Sequence, residues 1–154
     1  MTQFDFSVHP CREMPLIDPQ DDHIIISVNE VGEEPYSIRE NDACQATLRL
    51  HFDDCEEADR SVASWNGRQA QPMTDEQAHE IITFVQQNQN VALIVVHCAA
   101  GVSRSPAIAA ALSYMFIGPG SEERFFKRHV PNRDVYRKLL QKGVDLNIWD
   151  PAER

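Results

Sequence analysis

The chain has 154 residues and a mass of 17.5 kDa, which fits a single domain over 1–154 with a sizeable core and leaves no room for a second module. A formal net charge of -10 and a pI of about 4.9 argue against a general nucleic-acid binder or a protein of anionic membranes. Cys11, Cys44, Cys55 and Cys98 show neither CxxC spacing nor His pairing, and there is no apolar leader or membrane-length run, so a cytoplasmic, reducing location without a metal is expected.

In chain order, Phe4 to Val8 alternates apolar and polar residues and is broken by His9-Pro10, which predicts a short first strand. HIIISV, starting at His23, reads as a buried second strand, and the acidic stretch from Asn29 to Asp42, interrupted by Gly32 and Pro35, reads as a loop. Ala46 to Phe52 alternates again and predicts a third strand that stops at Asp53-Asp54. A short helix is conceivable over CEEADRSVASW, before the Asn66-Gly67 and Pro72 breaks. Thr74 with Gln77 has the form of a capping box, and Ala78, Ile81, Ile82 and Val85 form the apolar stripe of a helix to about Gln89. Past Gly118-Pro119-Gly120, Ser121 is expected to cap a helix carrying Phe125 and Phe126. Val135, Tyr136, Leu139 and Leu140 mark a further helix expected to end near Gly143.

Between these lies the stretch that organises the rest. VALIVV, starting at Val91, is a buried strand, and from Pro106 the sequence AIAAALSYMFI is alanine-rich and helical, so Cys98 sits where a strand hands over to a helix. A loop entering a helix N-terminus offers unpaired N–H groups and the positive end of the helix dipole, which together make an anion site. The same field, with the fixed charge of Arg104, stabilises a thiolate and makes Cys98 a nucleophile. Five residues, Ala99, Ala100, Gly101, Val102 and Ser103, separate Cys98 from Arg104. They suffice for a loop that aims its amides inward while the guanidinium grips oxygens bidentately. Strands alternating with helices predict an α/β fold: a central, mainly parallel sheet of about four to five strands, helices on both faces, and the ligand at the carboxyl ends of the strands.

HCAAGVSRS, from His97 to Ser105, resembles the H-C-x5-R-[S/T] signature of the cysteine-dependent protein tyrosine phosphatase superfamily, in its compact, bacterial-type, dual-specificity-like form HCxxGxSRS. The resemblance implies the tyrosine-phosphatase fold, Cys98 as nucleophile, Arg104 as phosphate clamp, Ser105 as the hydroxyl that helps the thiolate leave, and His97 as an orienting residue and not a base. Phosphate-ester cleavage also needs a proton donor. The piece FDD resembles the acid loop of compact members and favours Asp54, whereas alignment with the Trp-Pro-Asp loop of larger phosphatases favours Asp53; Asp54 ranks first. Val130-Pro131-Asn132 resembles a segment in which Asn132 braces the active-site loops, against the reading of a plain turn asparagine. Trp65 either lines the pocket or anchors a loop. Cys55, next to Asp54, and Cys44 are open as redox partners, although such cysteines are more often buried apolar groups.

The expected activity is a phosphomonoesterase acting on phosphotyrosine, with phosphoserine and phosphothreonine open. Partners are a phosphorylated protein or peptide and the inhibitory oxyanions phosphate, vanadate, tungstate and sulfate; no cofactor is expected. Ala99, Ala100 and Val102 lack the lysines that lipid phosphatases of the superfamily carry. The alternatives are a non-protein phosphoester as substrate (a nucleic-acid 5'-phosphate, a phosphoinositide or a small molecule) and a non-catalytic phosphate-binding module. Sulfur-transfer and arsenate-reducing proteins, which also hold anions on cysteine loops, fit the loop length poorly.

Overall fold

Four parallel strands form the sheet of the computed structural model, which describes residues 4–56 and 69–154. They are β1 (Asp5–Pro10), β2 (His23–Asn29), β3 (Cys44–His51) and β4 (Leu93–Cys98), in the spatial order β1-β4-β2-β3. Because β4 lies between β1 and β2, it is paired on both sides, with Pro10 opposite Cys98 and Ser27 opposite His97. A strand flanked in this way is buried on both edges and both faces, which is why its sequence runs apolar without alternation. The position also sets the last residue of β4, Cys98, at the centre of the sheet's carboxyl edge.

Among the described residues there are four α-helices: α1 (Asp75–Gln86), α2 (Arg104–Phe116), α3 (Glu123–Arg128) and α4 (Arg133–Asp145). The Thr74 capping box forms as expected, the Gln77 amide donating to Thr74 Oγ1 at 3.1 Å and the Thr74 amide to Gln77 Oε1 at 2.9 Å. Gln77 Nε2 also donates to the His51 carbonyl, tying α1 to the end of β3. Helix α2 is buried almost all round, packed between the sheet, α3 and α4, as its alanine-rich sequence permits.

Among the described residues the helices do not cover both faces. Phe6, Ile24, Ile26, Leu50, Ile94 and Val96 face all four α-helices in the main core. Ile25 and Val95, on the other face, meet Met14, Ile17 and Ile38 from the first connection and the long loop after β2. The difference has a simple origin: the connections after β1 and β2 are rich in proline, glycine and acidic residues and form a short 3-10 turn and loop in place of helices. Two boundary expectations also change. Glu122, not Ser121, occupies the N-cap of α3, while the Ser121 hydroxyl donates to the Gly118 carbonyl at 2.7 Å. Gly143 does not end α4; it is buried within the helix where Met115 and Trp149 approach too closely for a Cβ. Trp65, Asn66-Gly67 and most of the CEEADRSVASW stretch lie outside the described residues. No helix among the described residues is long and apolar enough to cross a membrane.

Gly143→Ala gains helix propensity of up to about 1 kcal/mol but drives a methyl into Met115 and the rigid Trp149 ring. Overpacking outweighs propensity here, so a net loss of about 1–2 kcal/mol is expected. Urea unfolding that gives equal or greater stability for the variant refutes this close approach.

Candidate active site

The five-residue loop from Ala99 to Ser103 begins at the last residue of β4 and ends at the first residue of α2. Three of its carbonyls are tied outward. Ala99 O accepts from the Cys11 amide at 3.0 Å, Val102 O from the Val130 amide at 3.1 Å, and Ser103 O from the Asn132 amide at 3.0 Å. Among the described residues, the amides of Ala99 to Ser103 have no protein acceptor. Main-chain N–H groups are obligatory donors, so a row of them without partners at a helix start is an anion nest. Gly101 permits the turn: its φ is +71°, and a Cβ there would lie 2.7 Å from the Pro10 nitrogen.

Cys98 is buried, and its Sγ lies 3.1 Å from Ser105 Oγ, in the first turn of α2. The Arg104 guanidinium is also buried and grips Glu30 with both terminal nitrogens, Nη2 to Oε1 at 2.7 Å and Nη1 to Oε2 at 3.2 Å. Nη1 donates further to the Phe52 carbonyl at 2.8 Å. Of the five donors of a guanidinium, this leaves Nε–H and one hydrogen of Nη2 without a protein partner among the described residues, the side-on fork that matches two oxygens of a tetrahedral anion. Burial alone would lower the Arg104 pKa, but hydrogen bonding to Glu30 and the charges of Glu30, Cys98 and Asp54 outweigh it, so the group is held above its usual value and stays charged.

The two acid-loop aspartates part company. Asp53 is buried and clamps the segment before α1: its amide donates to Gln71 O at 2.7 Å and its Oδ2 accepts from the Gln71 amide at 2.8 Å. Asp54 is exposed beside the loop, its Oδ1 accepting from Ser103 Oγ at 2.7 Å and from Asn132 Nδ2 at 3.0 Å. Asn132 in turn reaches the Cys55 carbonyl with Nδ2, and its Oδ1 caps α4 by accepting from the Val135 amide. One asparagine therefore touches the acid segment, the anion loop and the start of a helix.

Beneath the loop, the sequence did not single out Ser27, Asn29, Glu30 or Tyr36. Ser27 Oγ lies 2.6 Å from His97 Nε2, and Asn29 Nδ2 donates to Ser27 Oγ and to the Leu50 carbonyl. Nδ1 of His97 faces the Cys98 carbonyl at 3.4 Å, an acceptor only, so Nδ1 carries the hydrogen and Nε2 receives the Ser27 hydroxyl. Burial pushes the His97 pKa down to about 4, so the ring is neutral near pH 7. Tyr36 packs edge-on against the His97 ring, with its pKa pushed up to about 12 by burial and then by the Glu30 charge, to which it hydrogen-bonds. The available signal was the polar trio Ser27, Asn29 and Glu30 at the end of an otherwise apolar strand. All four cysteines are free; Cys98 alone is buried, and Cys11, Cys44 and Cys55 are half-buried.

A strand-to-helix cysteine loop with free amides, a braced arginine and a neighbouring carboxylate defines a phosphate-handling α/β enzyme site. The family model for protein-tyrosine phosphatases matches residues 22–123, and the chain belongs to that family: it is a hydrolase of the tyrosine-phosphatase type. Similar solved folds include human tyrosine phosphatase-like serine/threonine/tyrosine-interacting protein, with a TM-score of 0.55 and 16% identity over 92% of this chain and 93% of that one. PTPMT1 follows at 0.53 and 19%, covering 95% of each chain. Human DUSP28 gives 0.50 and 14%, over 92% and 90%. No curated protein matches the chain in sequence.

His97 supplies a pH dependence whose sign follows from its depressed pKa. The unfolded chain takes up the proton at about 6.5 and the folded protein only at about 4, so stability is complete above 6.5 and is lost as pH falls toward 4. The loss is on the order of 3 kcal/mol. His97→Gln should flatten the stability profile across this window in urea unfolding; an unchanged slope would show that His97 takes up its proton in the folded protein as it does in the unfolded chain.

Proposed function

We propose that the protein removes phosphate from phosphotyrosine through a cysteinyl-phosphate on Cys98. The observation that carries the reading is the row of unpaired amides between Cys98 and Arg104, since these donors and the free Arg104 fork match the equatorial oxygens of a transferring phosphoryl group. The Cys98 thiolate attacks phosphorus as the bond to the leaving oxygen breaks, and Asp54 donates its proton to that oxygen. Water then attacks the cysteinyl-phosphate and gives a proton back to Asp54. The sulfur departs as thiolate, with the Ser105 hydroxyl at hydrogen-bonding distance to stabilise it.

Asp54 is favoured over Asp53 because it sits against the loop, while the Asp53 carboxylate is buried and accepts from the Gln71 amide. Asn132 holds Asp54 to Ser103 and acts as a positioning residue. His97, neutral and engaged on both nitrogens, orients the loop and is not the base. PTPMT1 has a structure in complex with PI(5)P, with a TM-score of 0.50 and 19% identity over 89% of this chain and 85% of that one. The neutral Ala99, Ala100 and Val102 give this loop no lysine for further phosphates, so a protein phosphoester is the reading preferred.

Cys98→Ser should retain vanadate binding and lose turnover of phosphotyrosyl, phosphoseryl and phosphothreonyl peptides assayed in EDTA. Residual turnover near that of the parent removes the covalent route. Asp54→Asn should cost about 100- to 10,000-fold on phosphotyrosine and far less on a nitrophenyl ester, whose leaving group needs little protonation, while Asp53→Asn should show no such leaving-group dependence. The reverse pattern moves the acid to Asp53, and a flat response in both moves it elsewhere.

A further inference from the structure

The chain's charge is segregated. Seven of its fourteen lysines and arginines fall between Arg124 and Lys142, where Asp134 is the one acidic residue, although the whole chain carries a net -10. This basic stretch builds α3, the connection after it and most of α4, and the connection forms one lip of the anion loop. The Val130 amide is bonded to Val102 O and the Asn132 amide to Ser103 O. Arg128, the last residue of α3, and Arg133, the first of α4, therefore flank that lip on either side.

What the lip exposes is not what a merely solvated surface would expose. Val130 is 74% and Val102 45% exposed, side by side at the mouth. Lys127, Arg128 and Arg133 are exposed around them, and among the described residues no carboxylate lies within ion-pair distance of any of the three. By contrast, Arg124 pairs with Asp5 and Lys138 with Asp134. Three unpaired cations around two bare valines, in a protein otherwise rich in carboxylates, form a surface complementary to an extended acidic chain with an apolar side chain among its carboxylates.

We propose that this lip is a substrate-docking surface and that the preferred substrate is a phosphotyrosyl peptide with aspartate or glutamate within about three residues of the phosphotyrosine, a proposal that rests on the phosphatase reading above. Three extended residues span about 10 Å, enough to pass from the anion loop over the lip to Arg128 or Arg133. An anionic bilayer is the less favoured partner: the apolar part of the patch is only two valines, and the rest of the molecule is strongly negative.

The test compares kcat/KM for one phosphotyrosyl core flanked by acidic, neutral or basic residues. The enzymes are the parent, Arg128→Glu/Arg133→Glu and the neutral control Arg128→Gln/Arg133→Gln, with p-nitrophenyl phosphate measured beside them. The parent should favour the acidic over the neutral peptide by about tenfold at low salt, and the preference should shrink toward unity near 0.3 M salt. The Gln pair should show an intermediate preference and the Glu pair none, with p-nitrophenyl phosphate turned over at parental rates by both. Equal rates on acidic and neutral peptides in the parent, or a preference that survives the charge reversal, overturns the proposal. So does sedimentation with phosphatidylserine vesicles that is lost in the Glu pair without any peptide preference, which assigns the lip to a membrane. If the parent leaves p-nitrophenyl phosphate untouched, the catalytic reading fails. Anisotropy of the acidic against the neutral phosphopeptide on Cys98→Ser then decides docking separately: tighter acidic binding sustains it and equal binding ends it.

Discussion

The Arg104–Glu30 pair is the constraint on which the site depends. Both side chains are buried, and burying two charges is costly unless they meet in good geometry with their remaining donors and acceptors engaged. Here the terminal nitrogens of Arg104 take both Glu30 oxygens and the Phe52 carbonyl, and Tyr36 hydrogen-bonds to Glu30. Removing one partner of such a pair typically costs about 3–5 kcal/mol, because the other charge is stranded. The pair fixes the first turn of α2 to the ends of β2 and β3, and so sets where the anion loop must run. It also decides which edge of the guanidinium remains for a ligand.

The two faces of the sheet do different work. One face buries apolar side chains under four helices and supplies cohesion. The other carries, toward the carboxyl edge, the polar run from Asn29 through Ser27 to His97, where a histidine is kept neutral by burial and held by partners on both nitrogens. A loop with three carbonyls bonded outward and a supporting histidine that cannot readily ionise keeps its amides aimed at one point. That is electrostatic preorganisation: donors placed in advance of the charge they will meet.

Charge is arranged on a second, longer scale. An acidic protein that handles an anion must make its pocket positive locally, and the amides with Arg104 do so within a few ångströms. The basic α3–α4 stretch adds to that local field along one side of the mouth, where salt at physiological strength screens it over about 8 Å.

The sequence by itself determined the parts whose signals are local. The apolar run into HCAAGVSRS fixed the strand-to-helix turn, the five-residue loop and the cysteine–arginine spacing; the Thr74 capping box fixed the start of α1. Periodicity and caps act over a few residues and can be read one segment at a time. Only the tertiary structure decided that Asp53 turns to Gln71 while Asp54 meets Ser103 and Asn132, because adjacent residues on an irregular segment have no periodic rule for their direction. Glu30 could not be found as the partner of Arg104 from a loop composition, since the two are 74 residues apart and meet through sheet order. The same holds for the helices on a single face and for Gly143: which side a connection packs on, and whether a glycine ends a helix or admits a tryptophan, depend on what lies opposite, and that is known only once the chain has closed on itself.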